Sequence, residues 1–259
     1  MKRITAFILI LTAALSLIAC NSGKESGKAA SGNNTDNKDT TTTTEPGFVE
    51  GPDIGFGSFD FDFNSGDEGF TMIFADLPGT RGIELFYELK SEHKDVPIDG
   101  AGKGMFITGN NHSDDLFMGF YKELTGFEAG KSYKINLSFK IATDVEGGMI
   151  GIGGSPGESV YVKCGIVSQM PAALIADEYF RMNIDIGSQS QGGADMKVVG
   201  NITKQSNDRP GEYEFNTYSE SFEVTADNDG RLWLIIATDS GFEGISSWYL
   251  DDVSLTPIV

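Results

Sequence analysis

Apolar and polar side chains alternate with a period of two along much of the chain after residue 55. The clearest case is Phe59-Asp60-Phe61-Asp62-Phe63, which places three phenylalanines on one face and two aspartates on the other. Less strict strand patterns occur at residues 83–87, 105–108, 116–124, 133–141, 149–152, 179–184, 196–202, 213–215, 221–225, 232–237 and 248–255. Gly, Asn, Asp or Pro turns bound many of them, residues 168–177 and 205–211 are predicted as long loops, and no long capped helical stripe is present. We therefore expect an all-β, double-sheet antiparallel sandwich over residues 55–259.

The first residues follow a different pattern. Lys2 and Arg3 precede an apolar run over residues 6–19. This run is shorter than the roughly 20 apolar residues that a membrane-spanning helix needs. A basic start followed by a short apolar run is typical of a secretory signal peptide, so we expect residues 1–19 to be removed on export.

The apolar run ends in Leu17-Ile18-Ala19-Cys20, which resembles the lipobox of bacterial lipoproteins. The resemblance implies cleavage before Cys20 and attachment of a diacylglyceryl group and further acyl chains, such as palmitate, to that cysteine. Two or more acyl chains hold a protein firmly on a membrane. Asn21 replaces the aspartate that retains such proteins at the inner membrane, which favours the outer membrane or the cell surface. The alternative is an ordinary secretory signal with a chance cysteine.

Composition and charge add a tether and an acidic surface. Residues 20–54 are mainly Gly, Ser, Asn, Asp, Lys and Thr, too polar to bury a core, and we expect a disordered tether that reaches about 30 Å on average. The 259-residue chain has 19 basic and 38 acidic residues and a net charge of −19. Loss of residues 1–19 makes this about −21, which repels nucleic acid and anionic lipid at long range. The acidity serves solubility or, alternatively, Ca²⁺ binding.

The sequence argues against a disulfide, a nucleotide-binding loop, a serine-hydrolase elbow and a zinc site. With Cys20 lipidated, Cys164 is the remaining thiol, so no internal disulfide forms, and its strand-like surroundings predict a buried structural residue. The glycine-rich residues 151–157 lack the lysine and following helix of a nucleotide-binding loop. They also match the pattern of a serine-hydrolase elbow around Ser155, but Pro156 has no backbone N–H to offer an oxyanion. Because the lysine and the helix are missing, we expect no nucleotide partner. We also expect no zinc site, because His93 and His112 are the only histidines.

Three pieces of the chain, residues 59–70, 127–133 and 248–255, resemble the opening, middle and closing strands of galactose-binding-like jelly rolls, of which carbohydrate-binding modules are the best-known members. The resemblance implies a jelly-roll sandwich and a structural Ca²⁺ that joins the chain start to the last strand. Its ligands would be Asp251 or Asp252 with Asp60, Asp62, Asp67 or Glu68. Regular alternation puts Asp251 and Asp252 on opposite faces, so at most one would serve. Residues 109–118 and 151–163 resemble blocks of exported bacterial proteins to which no activity is attached.

Sugar binding needs exposed flat rings beside polar side chains. Trp248 lies at a loop-to-strand junction and is either a core residue or a platform for a sugar, and Tyr249 and Tyr121 are further candidates. His112 and Asp114, in a polar loop, are candidate ligand-binding residues, although a histidine among turn formers more often organises its loop.

The leading hypothesis is a surface-tethered, non-catalytic binding or adhesion lipoprotein with a carbohydrate ligand. A second hypothesis is a carbohydrate-active lyase or hydrolase that uses His112 with Asp114 or Asp115, Tyr121 and Arg181. A third is a structural or partner-binding envelope lipoprotein, which an exposed apolar patch would indicate.

Overall fold

The structure is a computed structural model that describes residues 56–258. The predicted signal peptide, the lipidated Cys20 and the predicted tether lie outside the described residues. The regular secondary structure of the described part is almost entirely β-strand, and two antiparallel sheets face each other across one main core. The prediction of an all-β, double-sheet sandwich is therefore confirmed. Within residues 56–258 no helix is long and apolar enough to cross a membrane.

The elements in chain order are β1 (Phe59–Phe61), β2 (Thr71–Ala75), β3 (Leu77–Pro78), α1 (Ile83–Phe86), β4 (Lys90–Asp95), β5 (Lys103–Asn110), β6 (Leu116–Thr125), β7 (Ser132–Thr143), β8 (Val160–Val167), β9 (Ala173–Ala176), β10 (Tyr179–Met182), β11 (Lys197–Asn201), β12 (Glu214–Thr225), β13 (Arg231–Ser240) and β14 (Ile245–Pro257). The six-stranded sheet has the order β12-β7-β14-β5-β4, and β1 also pairs with β14. The five-stranded sheet has the order β11-β8-β13-β6-β2. A small third sheet, β3-β10-β9, accompanies them.

Period-two alternation explains how the two large sheets share a core. In β7 the side chains of Ile135, Leu137 and Phe139 are fully buried and point inward. In β13 the inward positions are Leu234 and Ile236 of the opposing sheet. Each fully buried side chain of this size stabilises the fold by about 1.5–3 kcal/mol relative to exposure. The intervening side chains face outward, which leaves the two outer faces free to carry other residues.

Two predicted strands are absent from the structure. Residues 83–87 contain α1 instead, because Gly82 enters with φ 80° and the Tyr87 amide donates to the Ile83 carbonyl one helical turn away. The apolar residues 149–152 form only an isolated bridge, between Ile152 and Glu243, and Ile150 is 97% exposed. Neither segment carries a strand-like buried face. In addition, β9 lies within residues 168–177, which were predicted as a loop.

The last strand departs from regular alternation at the acidic pair. The pairing of β14 with β7 shifts register between Asp251 and Ser254, and Asp252 has φ 45°. This bulge places Val253 and Leu255 in the core after Leu250. Simple alternation therefore does not decide which way Asp251 and Asp252 face.

Candidate functional site

One row of side chains crosses five strands of the six-stranded sheet. Pairing places Phe215 of β12 opposite Ala142 of β7, and Ala142 opposite Tyr249 of β14. Tyr249 is opposite Phe106 of β5, which is opposite Glu92 of β4. Residues opposite one another in neighbouring strands share a face of the sheet. The neighbours of Tyr249 in β14, Trp248 and Leu250, point into the core, so this row lies on the outer face.

The aromatic members of this row, together with Tyr213 just before β12, are called the aromatic platform. The ring centroids of Phe106 and Tyr249 are 5.0 Å apart, and those of Tyr213 and Tyr249 are 5.6 Å apart at 86°. Tyr249, in the middle, is 6% exposed, whereas Phe106, Tyr213 and Phe215 are half-buried. Aromatic pairs at these distances contribute about 0.5–1.5 kcal/mol beyond their buried area. The platform is thus buried at its centre and partly exposed at its flanks.

Two lysine ammonium groups lie over the faces of these rings. The Lys94 ammonium lies 3.4 Å from the Phe106 ring centroid, and the Lys140 ammonium lies 5.4 Å from that of Phe215. Burial, and then the nearby Asp144 carboxylate, raise the pKa of Tyr213 to about 12. Its hydroxyl therefore stays protonated at neutral pH. The surface combines apolar ring area with donors and acceptors, a pattern that can hold the C–H face of a polyhydroxylated ring.

Of the two alternatives for Trp248, the structure places it in the core. Its side chain is fully buried and donates from Nε1 to Thr238 Oγ1 at 3.1 Å. The indole also meets the Phe120 ring edge-on, with centroids 5.8 Å apart. A ligand cannot reach Trp248, while its neighbour Tyr249 faces the platform.

The other predicted ligand-binding residues lie elsewhere. His112 stacks on Phe86 with centroids 4.4 Å apart, and its Nε2 lies 3.1 Å from the Phe86 carbonyl oxygen, so it organises the end of α1. Asp114 is exposed, with φ 58°, and its carbonyl accepts a hydrogen bond from Gln189. Tyr121 packs on the outer face of the other, five-stranded sheet. The structure does not gather these three residues on the aromatic platform.

Four of the predicted calcium ligands line one cavity of about 430 Å³, namely Asp60, Asp62, Glu68 and Asp252. The other two do not line it. The Asp67 side chain accepts from the Gly69 amide, and Asp251 Oδ1 accepts from the Asp252 amide.

The carboxylates of this cavity already have partners. Asp60 accepts from Ser254 Oγ at 2.7 Å, Glu68 accepts from the Phe63 amide at 3.0 Å, and Asp252 pairs with Lys140 at 2.6 Å. In the described part of the chain, no three His, Cys, Asp or Glu side chains converge closely enough to hold a metal ion. The calcium site stays a prediction.

A second, charged cavity lies on the outer face of the five-stranded sheet. It has a volume of about 270 Å³, and its polar lining includes Asp76, Asp115, Arg181 and Asp239. Arg181 Nη1 lies 2.5 Å from Asp76 Oδ1 and 3.5 Å from Asp115 Oδ2. Lys163, beside Asp239, is fully buried. Of these residues only Asp115 and Arg181 were singled out from the sequence, and His112 does not line this cavity.

Comparison with known proteins adds the following. No protein-family model and no curated protein matches the chain. The CBM22-1–GH10 modules of endo-1,4-β-D-xylanase 10B from Clostridium thermocellum, solved with xylohexaose, have a TM-score of 0.41 at 13% identity, over 77% of this chain and 28% of that one. The family 11 carbohydrate-binding module of a cellulosomal cellulase from Clostridium thermocellum has a TM-score of 0.38 at 11% identity, over 79% and 96%. The K1 cleaved adhesin domain of Lys-gingipain from Porphyromonas gingivalis W83 has a TM-score of 0.35 at 10% identity, over 78% and 99%.

Proposed function

We propose that this protein is a non-catalytic carbohydrate-binding lipoprotein of the bacterial cell envelope that holds its ligand on the aromatic platform. The observation that carries the proposal is the row of Phe215, Tyr249 and Phe106 across one outer sheet face, with the Lys94 and Lys140 ammonium groups over its two outer rings. Flat rings take the C–H faces of a sugar, and the flanking charged groups take its hydroxyls. The long axis of the row suits an extended chain of sugar units rather than one residue.

The place where the chain enters the domain supports a tethered arrangement. Phe56, the first described residue, packs on Phe127 and Tyr133, where β6 ends and β7 begins. Phe215 lies near the opposite end of the sandwich, at the start of β12, whose last residue Thr225 pairs with Ser132. Ten residues of strand separate Phe215 from Thr225, a distance of about 34 Å. Phe215 is therefore remote from the end at which the chain enters the domain, so a tether attached at that end would not cover it.

The test is binding to a panel of soluble polysaccharides, measured by retardation in gels that contain each polymer. A sugar that covers about 50 Å² of ring gains roughly 1.3 kcal/mol. Phe215→Ala should therefore weaken any retention found about tenfold. Tyr179→Ala is the control, because it removes an exposed aromatic ring from the small sheet and leaves the platform intact. Wild-type retention in Phe215→Ala, or no retention on any polymer, would count against the proposal.

The anchor is tested separately. Cells that express the protein should incorporate a palmitate analogue into it, and Cys20→Ser should abolish the labelling and shift the protein from the membrane fraction to the soluble one. Labelling that persists in Cys20→Ser would exclude this cysteine as the lipidated residue. Because every residue of the aromatic platform lies among residues 56–258, polysaccharide retention should be equal in both forms.

A further inference from the structure

The charged cavity holds more negative than positive charge. Asp76, Asp115 and Asp239 line it, and Asp185 adds a fourth carboxylate. The Asp185 oxygens accept from the Gly187 and Ala194 amides. The cations beside it are Arg181 and Lys163, so an excess of two negative charges remains when all the acids are ionised. An anionic ligand is therefore disfavoured.

The cations of the cavity are already engaged, while acceptors remain. Lys163 donates to the Ile186 carbonyl and to Asp239 Oδ2, both at 2.8 Å. Asp239 is 1% exposed, and its second oxygen, Oδ1, has no hydrogen-bond partner among residues 56–258. Burial of an acceptor without a partner is unfavourable. A hydrogen-bond donor inside the cavity would recover part of this cost.

Asp115 is the most weakly held of the carboxylates. It lies 3.5 Å from Arg181, whereas Asp76 lies 2.5 Å from the same nitrogen, and its side chain is 38% exposed. Burial, and then the charges of Asp76 and Asp239, raise the pKa of Asp115 to about 6. An incoming cation would relieve the repulsion among these acids.

The remaining wall is apolar. Met182, Ile184 and Ile186 line it, and they would contact the carbon frame of an organic ligand. The volume of about 270 Å³ corresponds to roughly nine water molecules, which is room for one small ring. A bare metal ion is not the occupant indicated, since no three ligating side chains converge in the described part of the chain.

We propose that the charged cavity is a second binding site, for a small organic ligand that carries a protonated primary amine, such as an amino sugar. The ammonium group would donate to Asp115 at the mouth and toward Asp239 at the base, while Met182 and the two isoleucines cover the carbon frame. This site lies on the opposite outer face from the aromatic platform and does not depend on the proposed function.

The experiment titrates glucosamine into the full-length protein at pH 7.0 by calorimetry, with glucose and N-acetylglucosamine as neutral counterparts and methylammonium as the smallest amine. One charge-assisted hydrogen bond of about 1.5–3 kcal/mol predicts that glucosamine binds at least tenfold more tightly than glucose. Amide NMR shifts should concentrate in residues 182–188. Equal affinity for the three sugars with no shifts from methylammonium would overturn the proposal.

Variants test whether glucosamine binds in the charged cavity or elsewhere on the domain. Asp115→Asn should weaken glucosamine binding about tenfold, whereas Asp95→Asn, an exposed change in the opposite sheet, should leave it unchanged. Lowering the pH from 7 to 5 should also weaken binding, because Asp115 becomes protonated. Phe215→Ala should not change glucosamine affinity, which distinguishes failure of this site from failure of the platform.

Arg181→Gln tests whether Arg181 competes with the ligand amine for the carboxylates. It removes the cation that competes for Asp76 and Asp115. Because loss of Arg181 also raises the pKa of both acids, the comparison uses methylammonium at pH 8, where the variant should bind the amine more tightly. A residue with a merely structural role would not produce tighter binding when removed. Weaker binding in an Arg181→Gln protein with wild-type circular dichroism would contradict the proposed electrostatics.

Discussion

Replacement of Lys163 by methionine is expected to destabilise the protein strongly. The Lys163 Nζ and Asp239 Oδ2 atoms are 2.8 Å apart, and the two side chains are 0% and 1% exposed. At an effective dielectric constant of about 20 their gross attraction is roughly 6 kcal/mol, much of which offsets the cost of burying the charges. Removing Lys163 leaves the Asp239 charge buried without its ion-pair partner, with the Gln189 amide as its remaining donor, which costs about 3–5 kcal/mol. Lys163→Met also removes the bond to the Ile186 carbonyl, so residues 186–189 should lose protection from hydrogen exchange.

Urea unfolding measures this effect. With a slope of about 2 kcal/mol per M, a loss of 3–5 kcal/mol lowers the midpoint by roughly 2 M. The control is Lys140→Met, whose ion pair with Asp252 is shorter, at 2.6 Å, but has side chains that are 38% and 48% exposed. That control should cost less than about 1 kcal/mol. If Lys163→Met also lost less than 1 kcal/mol, or if Lys163→Met with Asp239→Leu were no more stable than Lys163→Met alone, the argument from burial would be wrong.

Three further outcomes are expected. Asp76→Asn removes a like charge and frees Arg181 for Asp115. The pKa of Asp115 should therefore fall from about 6 toward its usual value in a carbon-13 NMR titration, and a rise in this pKa would contradict the repulsion between Asp76 and Asp115. Gly119→Ala would push a Cβ into the Ile236 carbonyl and the Ala237 side chain of β13, at a cost of about 2 kcal/mol or more in urea, whereas Gly57→Ala, with open space around it, should cost little. Burial raises the pKa of Cys164 to about 12, so in Cys20→Ser protein Ellman's reagent at pH 8 should label it only after unfolding, and fast labelling of the native protein would contradict its burial.

The sheets could be predicted from the sequence where burial has a period of two. The aromatic and acidic alternation at Phe59–Phe61 and the apolar run within Arg231–Ser240 are both strands in the structure. The strand Lys90–Asp95 could not be found this way, because its six residues are polar or charged and it lies at a sheet edge, with one face against few neighbours.

The aromatic platform could be predicted only in part. Alternation shows that Trp248 and Tyr249 face opposite ways, but it does not show which of them faces the core. The row of Phe215, Tyr249 and Phe106 depends on the register between strands that are more than 30 residues apart in sequence. Periodicity within one strand contains no information on that register.

The charged cavity could not be predicted from the sequence, for a different reason. Lys163 follows Val160, Tyr161 and Val162 in a strand where an outward lysine is ordinarily solvated. The segment at residues 182–188 covers this outer face, and its Ile186 carbonyl accepts from the lysine. Burial of Lys163 therefore comes from a segment more than 15 residues away, which no local pattern reveals.

The two proposed sites occupy opposite outer faces of one sandwich, so we expect them to bind their ligands independently. Ile236 and Thr238 point into the core between them, while Asp239 faces the charged cavity. Because the core is closely packed and neither site borrows a side chain from the other, binding at one should leave affinity at the other unchanged. A domain that holds a polysaccharide on its six-stranded sheet could then present the charged cavity, still open, on its other side. Titration of glucosamine into polysaccharide-saturated protein should thus give the same affinity as titration into the free protein, and a tenfold change in either direction would show that the core transmits binding between the faces.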